Sequence, residues 1–188
     1  MKLQFLALRG AGSKLPRWTW WALGGVTLLL LTRKEAAMPD RPPSTGSTQA
    51  KRLAQLHPEL AKRWKLAAAE YKLRYPGKPQ PFLAQTFRSR EEQARVYGKY
   101  SNAKPGESLH NYDPAMAFDV FFPSPADPDG YGDVKLFILF AQIAKGYGLA
   151  WGGDWPGFKD RPHFEPPGYS WMDAAAARPP SFPPLRQT

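Results

Sequence analysis

The chain has 188 residues, 43% of them hydrophobic and 14% aromatic, which is the composition of a protein that folds around one core. Its formal charge is +10, but seven basic and two acidic residues among the first fifty contribute +5, which leaves +5 for the remainder. We therefore expect no nucleic-acid partner, since the predicted helices carry no basic run with interleaved aromatics. The absence of cysteine excludes thiol catalysis, disulfides and Cys-ligated zinc.

The N-terminal segment has the pattern of a membrane signal. An uncharged run, residues 18–32, follows four basic residues and is closed by Arg33 and Lys34. As a helix this run would span about 22 Å, short of the roughly 30 Å of a bilayer core. We predict residues 1–34 to be a basic segment and a signal-anchor or transmembrane helix. The basic flank places the rest of the chain on the periplasmic side of an inner membrane.

Residues 35–50 are rich in Pro, Ser, Thr and Gly and predict a linker. From Lys51, apolar residues at helical spacing predict one amphipathic helix to about Leu73, with Pro58 in a first helical turn. Residues 75–77 end that helix, and residues 81–87 predict a short strand.

The second half of the chain alternates predicted helices and strands. Ser89 and Glu92 form a capping box, which places a helix start just after Arg88. Residues 117–122 predict a strand, and residues 133–145 predict the most apolar helix. Two short segments follow, at residues 149–151 and 163–165. This order predicts an α+β domain over residues 51–170, and the Pro-rich residues 171–188 predict a disordered tail.

Two of the three histidines accompany acidic residues that need an explanation. His110 precedes Asp119, an acid inside an apolar strand, and such a charge is costly to bury unless it is paired or binds a metal. His163 is the second candidate ligand, and two imidazoles with one carboxylate leave a tetrahedral position open, as in catalytic zinc sites. His57 stands at the predicted start of the first helix, where we expect it to act as a cap.

Two further residues are candidates for chemistry. Asp160 lies three residues before His163 and is placed to transfer a proton. Arg88, at a strand-to-helix junction, suits a carboxylate or a developing oxyanion. Taken alone, each is more often an ordinary surface residue. Spacing does not decide between the acids Asp119 and Asp160 and four other carboxylates: Glu107, Asp113, Asp154 and Glu165.

Three segments together resemble a known family. They are TFRSREEQARVYG (86–98), NAKPGESLHNYDPAMAFDVFF (102–122) and GLAWGGDWPGFKDRPHFE (148–165). They resemble the VanY-like, or M15, peptidases, and most of all the L-alanyl-D-glutamate peptidases of phage endolysins. The uncharged N-terminal run also resembles the signal-anchor-release segments of certain phage endolysins.

The resemblance implies roles for particular residues. It implies that His110, Asp119 and His163 hold Zn²⁺, that Asp160 is the catalytic base and that Arg88 contacts the substrate or transition state. Ser108 and Trp155, in the same motifs, are expected to bind substrate. Eight residues separate His110 from Asp119, where the commonest family pattern has six. The longer loop adds Asp113 as a spare carboxylate, but the A-x-D pattern favours Asp119.

The resemblance further implies a hedgehog/DD-peptidase-like fold, in which helices flank a small antiparallel sheet. We expect a monomeric zinc-dependent hydrolase that cleaves a peptidoglycan stem peptide, most readily between L-Ala and D-Glu. The alternatives are a D-alanyl-D-alanine carboxypeptidase and a non-catalytic, membrane-tethered wall-binding module.

Overall fold

A computed structural model describes residues 46–185 of the chain. The predicted membrane helix at residues 1–34 and the predicted linker up to residue 45 lie outside this range. All described residues belong to one compact unit. Among residues 46–185, no helix has both the length and the apolar character needed to cross a membrane.

The described chain contains five α-helices, four β-strands and two 3₁₀ turns. The helices are α1 (Gly46–Ala54), α2 (Pro58–Arg74), α3 (Arg90–Val96), α4 (Val134–Gly146) and α5 (Trp171–Ala175). The strands are β1 (Phe82–Gln85), β2 (Phe118–Phe121), β3 (Ala150–Trp151) and β4 (His163–Glu165). The 3₁₀ turns are Leu109–Asn111 and Gly152–Asp154. This mixture confirms the predicted α+β class.

The strands form one antiparallel sheet in the order β1-β2-β4-β3. Successive strand residues point to opposite faces. On β2 and β4, Phe118, Val120 and Phe164 are therefore buried in the core, while Asp119 and His163 share the other face. The sheet thus has an apolar face and a polar face.

Helices α2 and α4 cover the apolar face through aromatic contacts. Phe118 stacks on Phe164 with ring centroids 5.5 Å apart, and Trp64 of α2 lies 5.7 Å from Phe118. Phe140 of α4 meets Phe164 edge to face at 5.3 Å. Truncating such a buried ring costs about 3 to 5 kcal/mol, so this aromatic cluster holds β2 and β4 in place beneath the polar face.

The first helical region differs from its prediction. Residues 46–50, expected in the linker, are helical in α1, and the predicted single helix is divided at His57. The side-chain amide of Gln49 both donates to the carbonyl of Leu83 and accepts from its N–H, at 2.8 Å each. This pairing satisfies the open edge of β1, which explains why a polar, linker-like sequence forms a helix here. His57 caps α2 as expected, since its Nδ1 accepts the N–H of Glu59.

The C-terminal prediction is also corrected. Instead of a disordered tail after residue 170, α5 begins with a complete capping box between Ser170 and Asp173. Further along, the carbonyl of Pro183 accepts a hydrogen bond of 2.8 Å from Arg63, and Phe182 lies against the same guanidinium. The high proline content led to the prediction of disorder, although the few large side chains of this segment pack on the core.

Candidate metal centre

Strand register places two of the candidate ligands side by side. Asp119 in β2 is the direct partner of His163 in β4, and both project from the polar face. The imidazole of His163 is buried, and the Asp119 side chain is 15% exposed. The strands β2 and β4 are distant in the sequence, and their pairing therefore brings Asp119 next to His163.

The third ligand candidate comes from a 3₁₀ turn. Ser108 caps this turn by accepting the N–H of His110, and the neighbouring Leu109 is buried. The backbone N–H of Arg88 also donates to the carbonyl of His110 at 2.8 Å. These contacts fix His110 over the sheet, where its side chain is 3% exposed.

The three side chains meet with the spacing of zinc ligands. Nε2 of His110 lies 3.3 Å from Oδ1 of Asp119 and 3.3 Å from Nδ1 of His163, and that Nδ1 lies 3.4 Å from the same Oδ1. Donors placed tetrahedrally about 2.0 to 2.1 Å from a zinc ion would lie about 3.3 to 3.4 Å apart. The three atoms therefore match one face of a zinc tetrahedron.

Hydrogen bonds on the outer ring nitrogens set the tautomers of both histidines. Nδ1 of His110 lies 2.6 Å from the carbonyl of Thr86, which can only accept, so this nitrogen carries the proton. Nε2 of His163 lies 2.9 Å from the carboxylate of Glu165, which likewise accepts a hydrogen bond from the ring N–H. When both rings are neutral, their inward nitrogens present lone pairs toward Asp119. Such a cluster of acceptors is stable around a cation.

The electrostatics of the site agree with cation binding. Burial lowers the pKa of His110, although Asp119 acts in the opposite direction. Burial alone would raise the pKa of Asp119, but His110 and His163 hold it well below its usual range. Burial also lowers the pKa of His163, yet hydrogen bonds to Asp119 and Glu165 outweigh it and raise the pKa to about 10. The surrounding acids thus favour a positive charge at the inward Nδ1, and a metal ion competes there with a proton.

Asp160 approaches this centre from the loop between β3 and β4. Its backbone N–H donates to the carbonyl of Gly152 at 3.1 Å. A Cβ at Gly152 would lie 2.5 Å from the carbonyl oxygen of Asp160, so the turn needs glycine there. Burial raises the pKa of Asp160 to about 6, helped by Asp119 and opposed by His163. Within residues 46–185 its carboxylate has no hydrogen-bonding partner, which leaves it available for proton transfer.

Arg88 faces the metal centre from the end of β1. One guanidinium nitrogen lies 3.7 Å from Oδ2 of Asp119, and another donates to the side chain of Gln93 at 2.9 Å. Gln93 is fully buried in α3 and also donates to Ser101 and to the carbonyl of Ala103. The guanidinium is therefore held between Asp119 and a fixed amide.

The other predicted residues occupy different positions. The Trp155 ring lies 5.0 Å from the His163 ring and borders the site, whereas Ser108 supports the His110 backbone. Of the alternative carboxylates, Asp113 and Asp154 are exposed, and neither they nor Glu107 belong to the ligand cluster. Glu165 serves the outer nitrogen of His163. Strand alternation could have indicated that role, because Glu165 lies two residues from His163 on one face.

The fold and site define an α+β protein with a His₂Asp cluster on an antiparallel sheet, whose three side chains could hold a metal ion. The family model described as D-alanyl-D-alanine carboxypeptidase, of the M15 peptidases, matches residues 101–166, which include all three ligands. Over residues 101–166 the chain is similar to the M15 peptidases.

Two known proteins are similar to this chain. The peptidoglycan L-alanyl-D-glutamate endopeptidase CwlK of Bacillus subtilis is 35% identical over 97 residues, covering 44% of this chain. The match spans 58% of the length of CwlK. The crystal structure of the Serratia marcescens L-Ala D-Glu endopeptidase ChiX has a TM-score of 0.49 and 23% identity to this chain. That comparison covers 71% of this chain and 92% of ChiX.

Proposed function

We propose that this protein is a zinc-dependent peptidoglycan hydrolase that cleaves the amide between L-Ala and D-Glu of the stem peptide. The observation that carries the proposal is the spacing of the three donor atoms, which matches zinc ligands, with the two imidazoles oriented by Thr86 and Glu165. His110, Asp119 and His163 would hold the ion. The same assignment implies the hedgehog/DD-peptidase-like zinc peptidase fold.

Each role follows from the position of the side chain. A bound zinc ion supplies Lewis-acid polarisation of the scissile carbonyl and a lowered pKa for water. Asp160, with its free carboxylate and its pKa of about 6, takes up a proton and delivers it to the leaving amine. Arg88 binds a substrate carboxylate or the developing oxyanion, since its guanidinium is already held in place. Trp155 and Ser108 border the substrate.

The choice of scissile bond rests on the similarity to CwlK, whose name specifies an L-alanyl-D-glutamate endopeptidase. The family description favours a second candidate, D-alanyl-D-alanine carboxypeptidase activity. Both reactions suit the same ligands and differ in where the stem peptide lies relative to Arg88 and Trp155.

Digestion of purified sacculi followed by mass spectrometry tests this choice. New N-terminal D-Glu is the expected product. Release of free D-Ala would instead assign the carboxypeptidase reaction. Zymography on cell walls with and without a chelator provides the second test, because a wall-binding module would be equally inactive in both lanes.

The proposed location is the periplasmic side of an inner membrane, with the segment 1–34 as a retained or released anchor. Its support is the basic flank and uncharged run of the sequence. Fractionation of cells that express the full chain and a chain lacking residues 1–34 tests it. Membrane association of the full chain alone is expected.

A further inference from the structure

A second cavity lies away from the metal centre, between α4 and the loop that joins β3 to β4. It encloses about 430 Å³, within the range of sites for small ligands. Ile138 and Lys145 line it from α4, Trp151 from β3, and Lys159 and Arg161 from the loop. Trp151 belongs to the core behind the apolar face, whereas His163 projects from the polar face. The cavity is therefore separate from the metal centre.

Its charge is positive and largely uncompensated. Three cations line the cavity, and the one lining acid, Asp154, is already paired with Lys145 at 2.9 Å. Within the described part of the chain, the side chains of Lys159 and Arg161 have no ion-pair or hydrogen-bonding partner. A guanidinium and an ammonium that line the same cavity suit a carboxylate, which a guanidinium can bind through two parallel hydrogen bonds.

Helix α4 contributes exposed apolar side chains to the lining of the cavity. Val134 and Ile138 of α4 are 38% and 41% exposed there, although most large apolar side chains of this domain are buried. A ligand with both an anionic group and small apolar groups would contact both the cations and these apolar side chains. Because Asp154 remains in the cavity, a singly charged carboxylate fits better than a doubly charged phosphate.

The loop with the two free cations also carries Asp160, which lies between them in the chain. The indole of Trp151 donates to the carbonyl of Arg161 at 2.6 Å, which fixes this part of the loop. Gly153 and Asp154 line the cavity, whereas the next residue, Trp155, contacts His163. One loop thus separates the two sites, and a polymer with closely spaced anionic peptides could reach both.

We propose that this cavity is a second wall-binding site, which takes the free carboxylate of a stem peptide other than the one being cleaved. The alanine methyl groups of that peptide would lie against Val134 and Ile138, and its carboxylate against Lys159 and Arg161. The proposal rests on the proposed function for the identity of the polymer. It adds a contact that keeps the enzyme on the wall between cleavages.

Co-sedimentation with intact sacculi tests the proposal, with Asp160→Asn as the background so that the wall is not digested. Adding Lys159→Gln and Arg161→Gln should weaken binding at least about tenfold, since two charge-assisted contacts are lost. Lys62→Gln with Lys72→Gln is the matched control, because both lysines are exposed on α2 and the net charge changes equally. Equal binding by the two double variants would overturn the proposal.

Because Lys159 and Arg161 flank Asp160, Ile138→Asp on α4 provides a second variant outside that loop. Ile138→Asp should also weaken binding to sacculi. When it is introduced into the protein with native Asp160, hydrolysis of a short soluble muropeptide and the zinc content should stay unchanged. Amidation of the stem carboxylates should abolish the difference between Ile138→Asp and parent. The difference in binding between Ile138→Asp and its parent could instead survive amidation and disappear when hydrofluoric acid removes phosphodiester polymers. That result would show a phosphate ligand and overturn the proposal. Failure of hydrolysis with intact binding would count against the enzyme assignment and not against this site.

Discussion

His163 uses its two ring nitrogens for different purposes. The outer Nε2 is engaged by Glu165 at 2.9 Å, and the inner Nδ1 faces Asp119 and His110. If Glu165 were absent, the ring could take the other tautomer and present a proton to the metal position. The carboxylate therefore acts as an orienting group for the ligand.

The first prediction concerns the metal. His163→Ala removes one of three protein ligands, so zinc affinity and activity should both collapse. His57→Ala is the matched control, because His57 caps α2 and stacks on Phe182 but is not part of the ligand cluster, and its loss should cost about 1 kcal/mol of stability without loss of zinc. Elemental analysis of the purified proteins measures both. Stoichiometric zinc in His163→Ala would exclude the assigned ligand set.

The second prediction separates the base from the ligands. Asp160→Ala should keep zinc and fold but lose about 10² to 10⁴-fold in rate, the usual scale for acid–base catalysis. Asp113→Ala, an exposed acid in the loop before β2, should retain full activity. Loss of zinc in Asp160→Ala would make Asp160 a ligand. Unchanged activity would move the proton transfer to another acid, such as Glu165 or Asp154.

The pH dependence of the rate follows from the same carboxyl. Burial raises the pKa of Asp160 to about 6, and only the ionised form can accept a proton. The value of kcat/KM should therefore rise with pH through this region, with a midpoint at or below about 6, because a nearby cation favours ionisation. A pH series on a soluble muropeptide with constant zinc loading measures it. No titration between pH 4 and 7 would contradict the role of Asp160.

At this scale the sequence predicted the three residues that come together in the cluster, but not the groups that orient them. His110, Asp119 and His163 lie in two of the three segments that carry the family resemblance, so the resemblance indicates them directly. The support from the Thr86 carbonyl depends on how a backbone segment lies in space, and residue type says nothing about it. That Asp113 lies outside the ligand cluster likewise follows from the path of its loop, which leaves the side chain exposed.

Among the elements, α3 determines the position of Arg88, although it has only seven residues. Its capping box at Ser89 and Glu92 fixes the first turn, which sets the direction of Gln93 toward the core. Gln93 has no exposed surface. Its side chain accepts a hydrogen bond from Arg88 and donates to the Ser101 hydroxyl and to the carbonyl of Ala103. This short helix thus positions the arginine at the metal centre.

Gln93→Leu should lower kcat about tenfold or more with zinc retained, because a guanidinium freed from its amide partner is misplaced for the transition state. Gln93→Glu keeps an acceptor for Arg88 and loses the donors to Ser101 and Ala103. It should therefore recover part of the rate without recovering stability. Steady-state kinetics and urea unfolding of both variants separate these effects. Equal rate losses in the two variants would assign Gln93 a purely structural role.

The sequence predicted which helices and strands exist better than it predicted how the strands pair. The capping box, the alternation around Asp119 and the apolar run of α4 each appear within a short window of sequence. The strand order β1-β2-β4-β3 and the register of Asp119 against His163 depend on contacts between distant segments. The helix α1 was missed because its stabilising contact, Gln49 with Leu83, is also long-range.

For the molecule as a whole, the C-terminal segment completes the core opposite the metal centre. Arg63 of α2 is 3% exposed and donates to the carbonyls of Tyr147 and Pro183. Its guanidinium also lies 4.5 Å from the centre of the Phe182 ring. A buried cation is costly unless it is hydrogen-bonded. The residues predicted as a disordered tail therefore provide part of the environment that Arg63 requires.

Removal of residues 179–188 should consequently destabilise the domain by about 2 kcal/mol, since Arg63 loses a charge-assisted hydrogen bond and a cation–π contact while gaining hydration. Phe182→Ala in the full chain should cost about half as much, and Ser181→Ala, an exposed neighbour, should change stability by less than about 0.5 kcal/mol. Urea unfolding of the zinc-loaded proteins measures the differences. The metal centre lies on the other face of the sheet, so the truncated protein should still bind one zinc ion when folded. An unchanged unfolding midpoint after truncation would mean that residues 179–188 do not pack on Arg63 in solution.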